Sequence, residues 1–233
     1  VGEANSAFPL IDKILIDNKD VTILITSGTV TSAGTVETAI KSRNTNKIIH
    51  QYTPIDTYFS IKRFLEFWKP KALITVESEI WPNMIIMSHN YCEKVMIVNA
   101  KMSEKSFNKW KKCNSLKEKI FDSVDICYPQ SSEDQFRFIN LGIQNTVYLG
   151  NMKFSVPKLH INNNYLKELE NNSNNKKRVL FASVHLEEID NVINTIKSVK
   201  NVVNTLFVVA IRHPQYSDKI YSIFTKNNFN VKR

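Results

Sequence analysis

Residues 72–83 read ALITVESEIWPN, a stretch with an apolar run of strand length, a polar loop and the first turn of a helix. The run Ala72–Val76 has little of the polar alternation expected of a strand with one face in water. Such apolar strands are typical of parallel sheets covered on both faces. Pro82 suits the first turn of a helix, because the N–H that proline lacks would have no partner there. The stretch therefore predicts a strand–loop–helix unit of a buried parallel sheet.

Similar apolar runs recur on both sides of this stretch, and segments with apolar residues at helical spacing lie between them,. Strands that alternate with helices in this way predict an α/β fold with a doubly wound parallel sheet. Folds of this class bind ligands at the carboxyl ends of their strands, so the loops after the strands are the candidate sites. The predicted strands are Val21–Thr26, Lys47–His50, Ala72–Val76, Lys94–Val98, Asp125–Tyr128, Thr146–Leu149, Arg178–Ser183 and Thr205–Ile211.

A polar stretch crowded with Asn and Lys, residues 162–177, separates two strand–helix patterns of unequal length. We expect a Rossmann-like first domain over residues 1–155, a partly helical linker over 156–177, and the start of a second Rossmann-like domain over 178–233. Two strands bury too little surface to form an independent α/β domain. The second domain is therefore expected to be incomplete, and both ends of the chain look cut.

The charge of the chain favours an anionic partner. Of its 233 residues, 31 are Lys or Arg and 22 are Asp or Glu, which gives a net charge of +9. Nucleic acid, an acidic membrane face and a phosphorylated substrate all fit this excess, and so does a compositional drift toward Lys. The sequence has no stripe of basic and aromatic residues, which makes nucleic acid the least favoured of these partners.

The cysteines and the hydropathy argue against other classes of protein. Cys92, Cys113 and Cys127 lack C-x-x-C spacing, which argues against a disulfide framework and against a zinc cluster,. A reduced, cytosol-facing protein fits these cysteines better. No stretch approaches the roughly 18 apolar residues of a membrane span, and no signal peptide is recognisable.

The loop after the first predicted strand, residues 26–35, reads TSGTVTSAGT. Glycines and small hydroxylic residues leave backbone N–H groups and hydroxyls free to bind an anion at the start of a helix. The glycine spacing is neither that of a P-loop nor that of the dinucleotide-binding fingerprint. The loop is therefore a candidate anion site, and a small-residue turn that lets a helix pack on a strand is an equal alternative.

Three carboxylates stand at a strand end or at a helix start. Glu77 and Glu79 follow the central strand quoted above, where they would bind sugar hydroxyls or orient a cationic group; a glycosidase pair is a second interpretation,. The sequence allows Trp81 beside them to be a core residue. Glu3 follows a glycine before the first amphipathic helix, where it either stabilises the helix dipole or points into a cleft.

Side chains that bind phosphate end the later strands. Lys153 lies in the segment GNMKF, and Arg212 and His213 follow the last predicted strand. Ammonium, guanidinium and imidazole donors of this kind grip phosphate. His185 follows the preceding predicted strand and would sit beside them. If the two predicted domains face each other, these loops approach one cleft.

Together the loop sequences resemble those of the Kdo (3-deoxy-D-manno-octulosonic acid) transferase family of lipid A biosynthesis. The similarity runs from Val1 to Tyr216, and the shared order and spacing of the motifs make it specific. The matching motifs are Val1-Gly2-Glu3, residues 26–34, Tyr52-x-Pro54-x-Asp56, Glu77-x-Glu79-Ile80-Trp81-Pro82-Asn83, Asn99-Ala100-Lys101-Met102-Ser103, Gln130 with Asp134 and Arg137, Gly150-Asn151-Met152-Lys153-Phe154, and Arg212-His213-Pro214.

The resemblance implies a two-domain glycosyltransferase of the GT-B type, with a lipid A precursor on the first domain and CMP-Kdo largely on the second. Members of the family use no metal or other cofactor and invert the anomeric centre. The resemblance also implies the cytoplasmic face of the bacterial inner membrane, an anionic lipid surface and no nucleic acid. The implied general base is Glu3, the implied acceptor-binding residues are Gly28, Thr29, Ser32, Glu77 and Glu79, and the implied donor-binding residues are Lys153, Ser183, His185, Arg212, His213 and Pro214.

The chain departs from the family pattern in three places. We expect the protein to lack the hydrophobic anchor that precedes the Val-Gly-Glu motif in the family and the Gly-rich nucleotide loop of the second half-domain, and Leu186 stands after His185 where the family usually has Gly. Two other functions stay open. One is an inactive truncated remnant that retains only acceptor binding. The other is a different GT-B sugar-nucleotide enzyme such as an epimerase, against which the motifs at residues 77–83 and 150–154 argue.

Overall fold

The chain folds into two compact α/β units, Val1–Lys158 and Leu159–Arg233. Every strand pair in the described part of the chain is parallel, which confirms the predicted class of fold,. Residues 156–162 of the predicted linker lie outside that part. The computed structural model describes residues 2–155, 163–173, 176–199 and 202–232.

The first unit alternates helices with strands. Its elements are α1 (Gly2–Asp17), β1 (Ile23–Ser27), α2 (Val30–Arg43), β2 (Ile48–Tyr52), α3 (Tyr58–Trp68), β3 (Ala72–Val76), α4 (Pro82–Tyr91), β4 (Lys94–Ala100), α5 (Glu104–Lys111), α6 (Asn114–Phe121), β5 (Ile126–Pro129) and α7 (Ser132–Leu141). β1 pairs with β2, and β4 lies between β3 and β5. Because the strands are parallel, the carboxyl ends of each sheet meet at one edge of that sheet.

Helix ends in this unit follow from the local sequence. Ser103 and Ser131 cap α5 and α7, since their hydroxyls accept hydrogen bonds from backbone N–H groups of the first turn, at 3.2 and 3.1 Å,. Gly142 ends α7 with a φ of 118°, a conformation that favours glycine,. The turns between strands and helices are therefore short and defined, which fixes where the strand-end side chains lie.

The largest core of the first unit lies around β4. Ile97 of β4, Ile85 of α4, Phe121 of α6 and Phe138 of α7 are all completely buried. The rings of Phe121 and Phe138 meet edge to face, with centroids 6.5 Å apart,. Helices on the sheet thus hold β4 rigidly, and with it the edge where the strand-end loops begin.

The predicted strand Thr146–Leu149 was wrong. Thr146 makes only an isolated bridge to Cys127, and the Gln135 side chain donates a hydrogen bond to the Thr146 carbonyl oxygen at 3.2 Å. The bridge uses the N–H and the carbonyl oxygen of Cys127, and the next β5 residue facing that edge is Pro129, which has no N–H to continue the ladder,. Tyr148 and Leu149 beyond it are 46% and 75% exposed, so an apolar composition alone misled the prediction. The other predicted strands form, with ends shifted by two residues at most.

The second unit is a smaller α/β arrangement. Its elements are α8 (Asn163–Asn172), β6 (Lys177–Val184), α9 (Ile189–Ser198), β7 (Thr205–Ile211) and α10 (Ser217–Lys226). β6 and β7 pair in parallel, and α9 and α10 contribute Ile193, Ile196 and Phe224 to a buried core. β6 is mostly exposed, with Leu180 at 63%, whereas β4 of the first unit is buried over most of its length.

Candidate functional site

Polar side chains at the ends of β3 and β4 converge on one short segment, residues 150–154. Glu77 directly follows β3 and is 5% exposed, and its Oε1 atom lies 2.7 Å from Nζ of Lys153. Asn99, near the end of β4, is 3% exposed, and its Oδ1 atom accepts a hydrogen bond from the Met152 N–H at 2.9 Å. Two neighbouring strand ends therefore hold the same segment.

The end of β5 supplies a third contact. Asn151 donates a side-chain hydrogen bond to Gln130 Oε1 at 3.1 Å and accepts one from the Lys153 N–H at 2.9 Å. Sequence analysis did not single out Asn99, Gln130 or Asn151 as site residues, although all three stand in the motifs that carry the resemblance. We call the following five side chains the strand-end network: Glu77, Asn99, Gln130, Asn151 and Lys153.

The strand-end network balances its own charge. A carboxylate as buried as that of Glu77 is costly unless it is paired, and the Lys153 ammonium neutralises it,. The Asn99 side-chain amide lies 3.5 Å from the same Glu77 oxygen. Sequence analysis assigned Glu77 and Lys153 to different ligands, and the structure places them in contact. The Lys153 side chain remains 48% exposed, so its ammonium borders both the buried pair and the solvent.

Backbone strain is concentrated in the same place. Glu77 has a φ of 60° and Asn99 a φ of 51°, in the left-handed region that residues other than glycine seldom adopt,. Gly150, with a φ of 99°, lies in a region that requires glycine,. A left-handed residue costs on the order of 1–3 kcal/mol and persists only where its surroundings hold it, as they often do at binding and catalytic sites. The strain here coincides with the strand-end network.

Glu79 and Trp81 lie on the surface beside this network. The Trp81 indole N–H donates a hydrogen bond to the Glu79 carboxylate. Trp81 is 44% exposed, so the suggestion that it is a core residue was wrong. Fixed by this contact, the pair presents a carboxylate and an aromatic face to solvent, which are groups able to contact a sugar.

The Asp56 motif has a structural role at the start of α4. The Asp56 carboxylate accepts hydrogen bonds from the N–H groups of Asn83 and Met84, at 3.1 and 2.8 Å. The Asn83 side chain in turn donates to the Asp56 carbonyl oxygen at 2.7 Å. Asp56 therefore caps α4 from the loop before α3, a carboxylate at the positive end of a helix. These hydrogen bonds join the motif Tyr52-x-Pro54-x-Asp56 to the motif that ends at Asn83, and we call such a connection a joint.

A similar joint anchors the loop after β4. The buried Asp134 carboxylate accepts a hydrogen bond from the Met102 N–H at 2.8 Å, and the Arg137 guanidinium donates to the Met102 carbonyl oxygen at 2.8 Å. Both polar groups of the Met102 backbone are thus bound by α7. The motif of Gln130, Asp134 and Arg137 accordingly fixes the strand ends.

The candidate anion loop forms the N-terminus of α2. The Thr29 hydroxyl accepts a hydrogen bond from the Ser32 N–H at 3.2 Å and donates to the Ser32 hydroxyl at 2.9 Å. Gly28 and Thr29 are exposed, and a Cβ atom on Gly28 would meet no other atom within 4 Å. The first turn of α2 carries no acidic residue, so no carboxylate offsets its positive dipole end,. The loop remains open to an anion.

Glu3 lies in the first turn of α1, whose backbone the structure describes. Its side chain lies outside the described residues, so its predicted role stays a prediction. α1 contacts the turn Met152–Ser155. This contact brings the helix that carries Glu3 next to the segment held by the strand-end network.

The predicted donor-binding residues of the second unit gather at the carboxyl ends of β6 and β7. The rings of His185 and His213 lie edge to face, with centroids 5.5 Å apart, and His213 also meets the Tyr216 ring at 6.2 Å. The Arg212 N–H donates to the Val184 carbonyl oxygen at 2.8 Å, which joins the two strand ends.

The remaining predicted donor residues lie in the same two loops. Ser183 adopts a φ of 62° at a bulge of β6, and Pro214 begins the turn Pro214–Tyr216. Ser183, His185, Arg212, His213 and Pro214 are all exposed. Sequence analysis missed Tyr216, whose contact with His213 spans only three residues of the chain.

Within the described ranges, no three His, Cys, Asp or Glu side chains converge in a way that would hold a metal ion. Burial raises the pKa of the Cys127 thiol to about 12, so this side chain stays protonated and behaves as an apolar core residue,. No helix of the described part is long and apolar enough to cross a bilayer.

Comparison with known proteins gives a consistent result for the sequence. Residues 1–156 match a family model described as 3-Deoxy-D-manno-octulosonic-acid transferase (kdotransferase). The chain is 38% identical over 216 residues to a 3-deoxy-D-manno-octulosonic acid transferase of Rickettsia bellii, covering 92% of this chain and 50% of that protein. It is 36% identical over 233 residues to the corresponding Rickettsia felis protein, covering 99% of this chain and 49% of that protein. The chain thus spans about half the length of these relatives.

Comparison with solved structures bears on the fold. The crystal structure of UDP-GlcNAc 2-epimerase from Neisseria meningitidis bound to UDP-GlcNAc superposes with a TM-score of 0.62 at 14% identity. The likeness covers 96% of this chain and 67% of that chain. At this identity it speaks for the fold alone, and it confirms the predicted GT-B type.

Proposed function

The chain belongs to the 3-deoxy-D-manno-octulosonic-acid (Kdo) transferase family, and we propose that it acts in the transfer of Kdo from CMP-Kdo to the lipid A precursor lipid IVA during lipopolysaccharide biosynthesis. The observation that carries this proposal is the strand-end network. Its five side chains come from motifs of the resemblance and meet at the carboxyl edge of a parallel sheet, where folds of this class bind ligands,.

The proposed reaction is an inverting displacement that uses no metal. Glu3 removes the proton of an acceptor hydroxyl, and the oxygen attacks the anomeric carbon of Kdo from the face opposite CMP. The bond from that carbon to the phosphate oxygen breaks, and CMP leaves with the electron pair. A base in this position contributes roughly 10²- to 10⁴-fold. The contact of α1 with the turn Met152–Ser155 supports this role, because it brings the Glu3 helix beside Lys153.

The proposed acceptor site lies at the strand ends of the first unit. Gly28, Thr29 and Ser32 offer backbone N–H groups and hydroxyls at the open N-terminus of α2, which suit a phosphate of the lipid,. Glu79, held by Trp81, would accept hydrogen bonds from sugar hydroxyls. The nearly buried Glu77 orients Lys153, so its part in acceptor binding is indirect.

The proposed donor site lies on the second unit. Arg212, His185 and His213 would bind the CMP phosphate, with Ser183 and Pro214 shaping the two loops that carry them. Cationic donors aimed at a departing phosphate stabilise the charge that develops there, which is commonly the largest catalytic contribution. Lys153, on the first unit, is a half-exposed cation of the kind that binds phosphate,.

The proposed place of action is an anionic lipid surface at the cytoplasmic face of the bacterial inner membrane. The net charge of +9 supports it, because basic residues near anionic lipid headgroups contribute about 1 kcal/mol each,.

A donor-specificity assay tests the proposal. The chain is incubated with CMP-Kdo, with and without lipid IVA, and release of CMP is followed; UDP-GlcNAc replaces the donor as control. Release that requires lipid IVA supports the proposal, whereas turnover of UDP-GlcNAc would identify a different sugar-nucleotide enzyme. If lipid IVA binds and no CMP appears, the chain is joined to the part of the Rickettsia bellii protein beyond the matched segment. A chimera that releases no CMP would favour the interpretation of the chain as a remnant that only binds the acceptor.

A further inference from the structure

One histidine of the first unit connects the two elements on either side of the candidate anion loop. His50 is the third residue of β2, and its side chain is only 8% exposed. Its Nε2 atom lies 2.9 Å from the hydroxyl of Ser27, the last residue of β1. Its Nδ1 atom lies 3.8 Å from a carboxylate oxygen of Glu37, on α2. The strand before the loop and the helix after it thus both contact one imidazole.

The strand register explains how this contact arises. His50 stands opposite Ile25 in the parallel pair of β1 and β2, and Ser27 lies two residues further along β1. Residues two apart in a strand share a face, so Ile25 and Ser27 point to the same side of the sheet. Val36 of α2 packs in the same buried cluster as Ile25, which brings the neighbouring Glu37 within reach of His50. The contact between His50 and Glu37 therefore lies beside the apolar residues that pack α2 against the strands.

The His50 ring makes two contacts of different kinds, with the Ser27 hydroxyl and with the Glu37 carboxylate. The Glu37 carboxylate, 3.8 Å from Nδ1, lies beyond hydrogen-bond distance and acts on the ring through its charge,. The other ring nitrogen lies at hydrogen-bond distance from the Ser27 hydroxyl, a group that can both donate and accept,. Ser27 is itself 8% exposed, and the N–H of Thr53 binds its carbonyl oxygen at 3.0 Å. The residue immediately before Gly28 is therefore held at both its side chain and its backbone.

We propose that His50 is a positioning residue for the acceptor loop: through Ser27 and Glu37 it holds the N–H and hydroxyl groups of residues 28–32 in the geometry that binds a phosphate of the lipid acceptor. The inference rests on the proposed function for the identity of that ligand. The side of Gly28 on which a Cβ atom would lie is open, with no other atom within 4 Å of that position. Residues 28–29 are held on their N-terminal side by the contact of Ser27 with His50, and on their C-terminal side by the Thr29 hydroxyl, which caps α2,.

Three variants separate the contacts. His50→Phe fills the space without either hydrogen-bonding nitrogen, His50→Gln returns a polar group near the position of Nε2, and Ser27→Ala removes the partner. Amide hydrogen exchange of residues 28–32 is measured in the chain alone, together with its affinity for lipid IVA and for CMP-Kdo. We expect His50→Phe and Ser27→Ala each to speed exchange and weaken lipid IVA binding by roughly five- to tenfold, the effect of one lost buried hydrogen bond.

The pattern across variants distinguishes positioning from general destabilisation. CMP-Kdo affinity should stay unchanged, His50→Gln should recover most of the lipid affinity, and the double variant should be no worse than either single one, because both remove the same interaction. Unchanged exchange at residues 28–32, or faster exchange with unchanged lipid IVA affinity, would overturn the inference. If these expectations hold while neither the chain nor the chimera transfers Kdo, the proposed function fails and the positioning role stands. A chain that binds no lipid IVA contradicts the inference.

Discussion

At the residue scale, the pair of Glu77 and Lys153 joins a buried carboxylate to a half-exposed ammonium. Glu77 is nearly buried and Lys153 half exposed, so the pair lies between a surface salt bridge and a buried one,. Its two members are unequal, because removing the ammonium leaves a buried carboxylate without its counter-charge, whereas removing the carboxylate leaves an ammonium that solvent still reaches.

The inequality predicts which substitution is worse. Lys153→Met should lower the free energy of unfolding by about 2 kcal/mol, less than the 3–5 kcal/mol of a fully buried pair because Lys153 is half exposed,. Lys153→Arg, which keeps the charge, is the matched control and should lose much less. Urea unfolding of the chain measures both, and equal stability of the Met and Arg variants would show that the charge of Lys153 is not needed by Glu77.

Glu3 carries the chemistry in the proposed mechanism. Glu3→Gln keeps the size of the side chain and removes the base, so transfer should fall by roughly 10²- to 10⁴-fold with little change in stability. The rate of CMP release measures the loss of transfer, and the urea midpoint of the same preparation measures the change in stability. Near-normal transfer would remove Glu3 from the mechanism. Glu79→Gln, a surface carboxylate outside the chemical step, is the control and should change acceptor affinity more than rate.

Asp125 should make stability depend on pH. The Val95 N–H donates to the Asp125 carboxylate at 2.7 Å and Lys94 pairs with it at 3.2 Å, and these contacts lower the pKa of Asp125, the backbone hydrogen bond most. A carboxyl with a lowered folded pKa stabilises above its unfolded pKa of about 3.9, and that stabilisation is lost as pH falls through the folded value. Asp125→Asn should therefore be less stable than the parent at pH 7, and the gap should narrow as pH falls below about 3.9. A gap that does not depend on pH in urea unfolding would contradict this cause.

At the element scale, strands and helices were more predictable than their joints. β3 and β7 form over the predicted residues, because apolar runs between turn signals depend only on local sequence,. Thr146–Leu149 failed because Pro129 of β5 lacks the N–H that the next rung of the ladder would need,. The Asp56–Asn83 and Glu77–Lys153 contacts were beyond prediction, since no local pattern says which strand ends meet. The sequence predicted which loops form the site, but it did not predict which of these loops contact each other.

The joint between the Asp56 loop and α4 gives a prediction at this scale. Asp56→Ala removes two hydrogen bonds from backbone N–H groups and a charge at the helix N-terminus, so the free energy of unfolding should fall by about 1–2 kcal/mol,. Thr57→Ala is the neighbouring control, because the Thr57 side chain bonds no backbone N–H of α3. That control should stay within about 0.5 kcal/mol of the parent. Equal effects of the two substitutions on urea unfolding would argue against a cap.

At the scale of the whole molecule, the charge excess and the open strand ends belong to the same proposal. A net charge of +9 attracts the chain to anionic lipid, where the proposed acceptor resides,. Exposed charges are screened beyond about 10 Å at 0.1 M salt. Binding to vesicles with anionic lipid should therefore weaken on the order of tenfold between low salt and about 0.5 M salt. Cosedimentation measures this, and equal binding to neutral and anionic vesicles would contradict an electrostatic origin.

The most direct test of Kdo transfer is the mass of the lipid after reaction. Lipid IVA and CMP-Kdo are incubated with the chain, and with the chimera completed from the Rickettsia bellii protein, and the lipid is analysed by mass spectrometry. The account predicts lipid heavier by one or more Kdo units, formed in proportion to the CMP released and lost in Glu3→Gln. Lipid of unchanged mass with the chimera, under conditions in which the Rickettsia protein itself transfers Kdo, would contradict it.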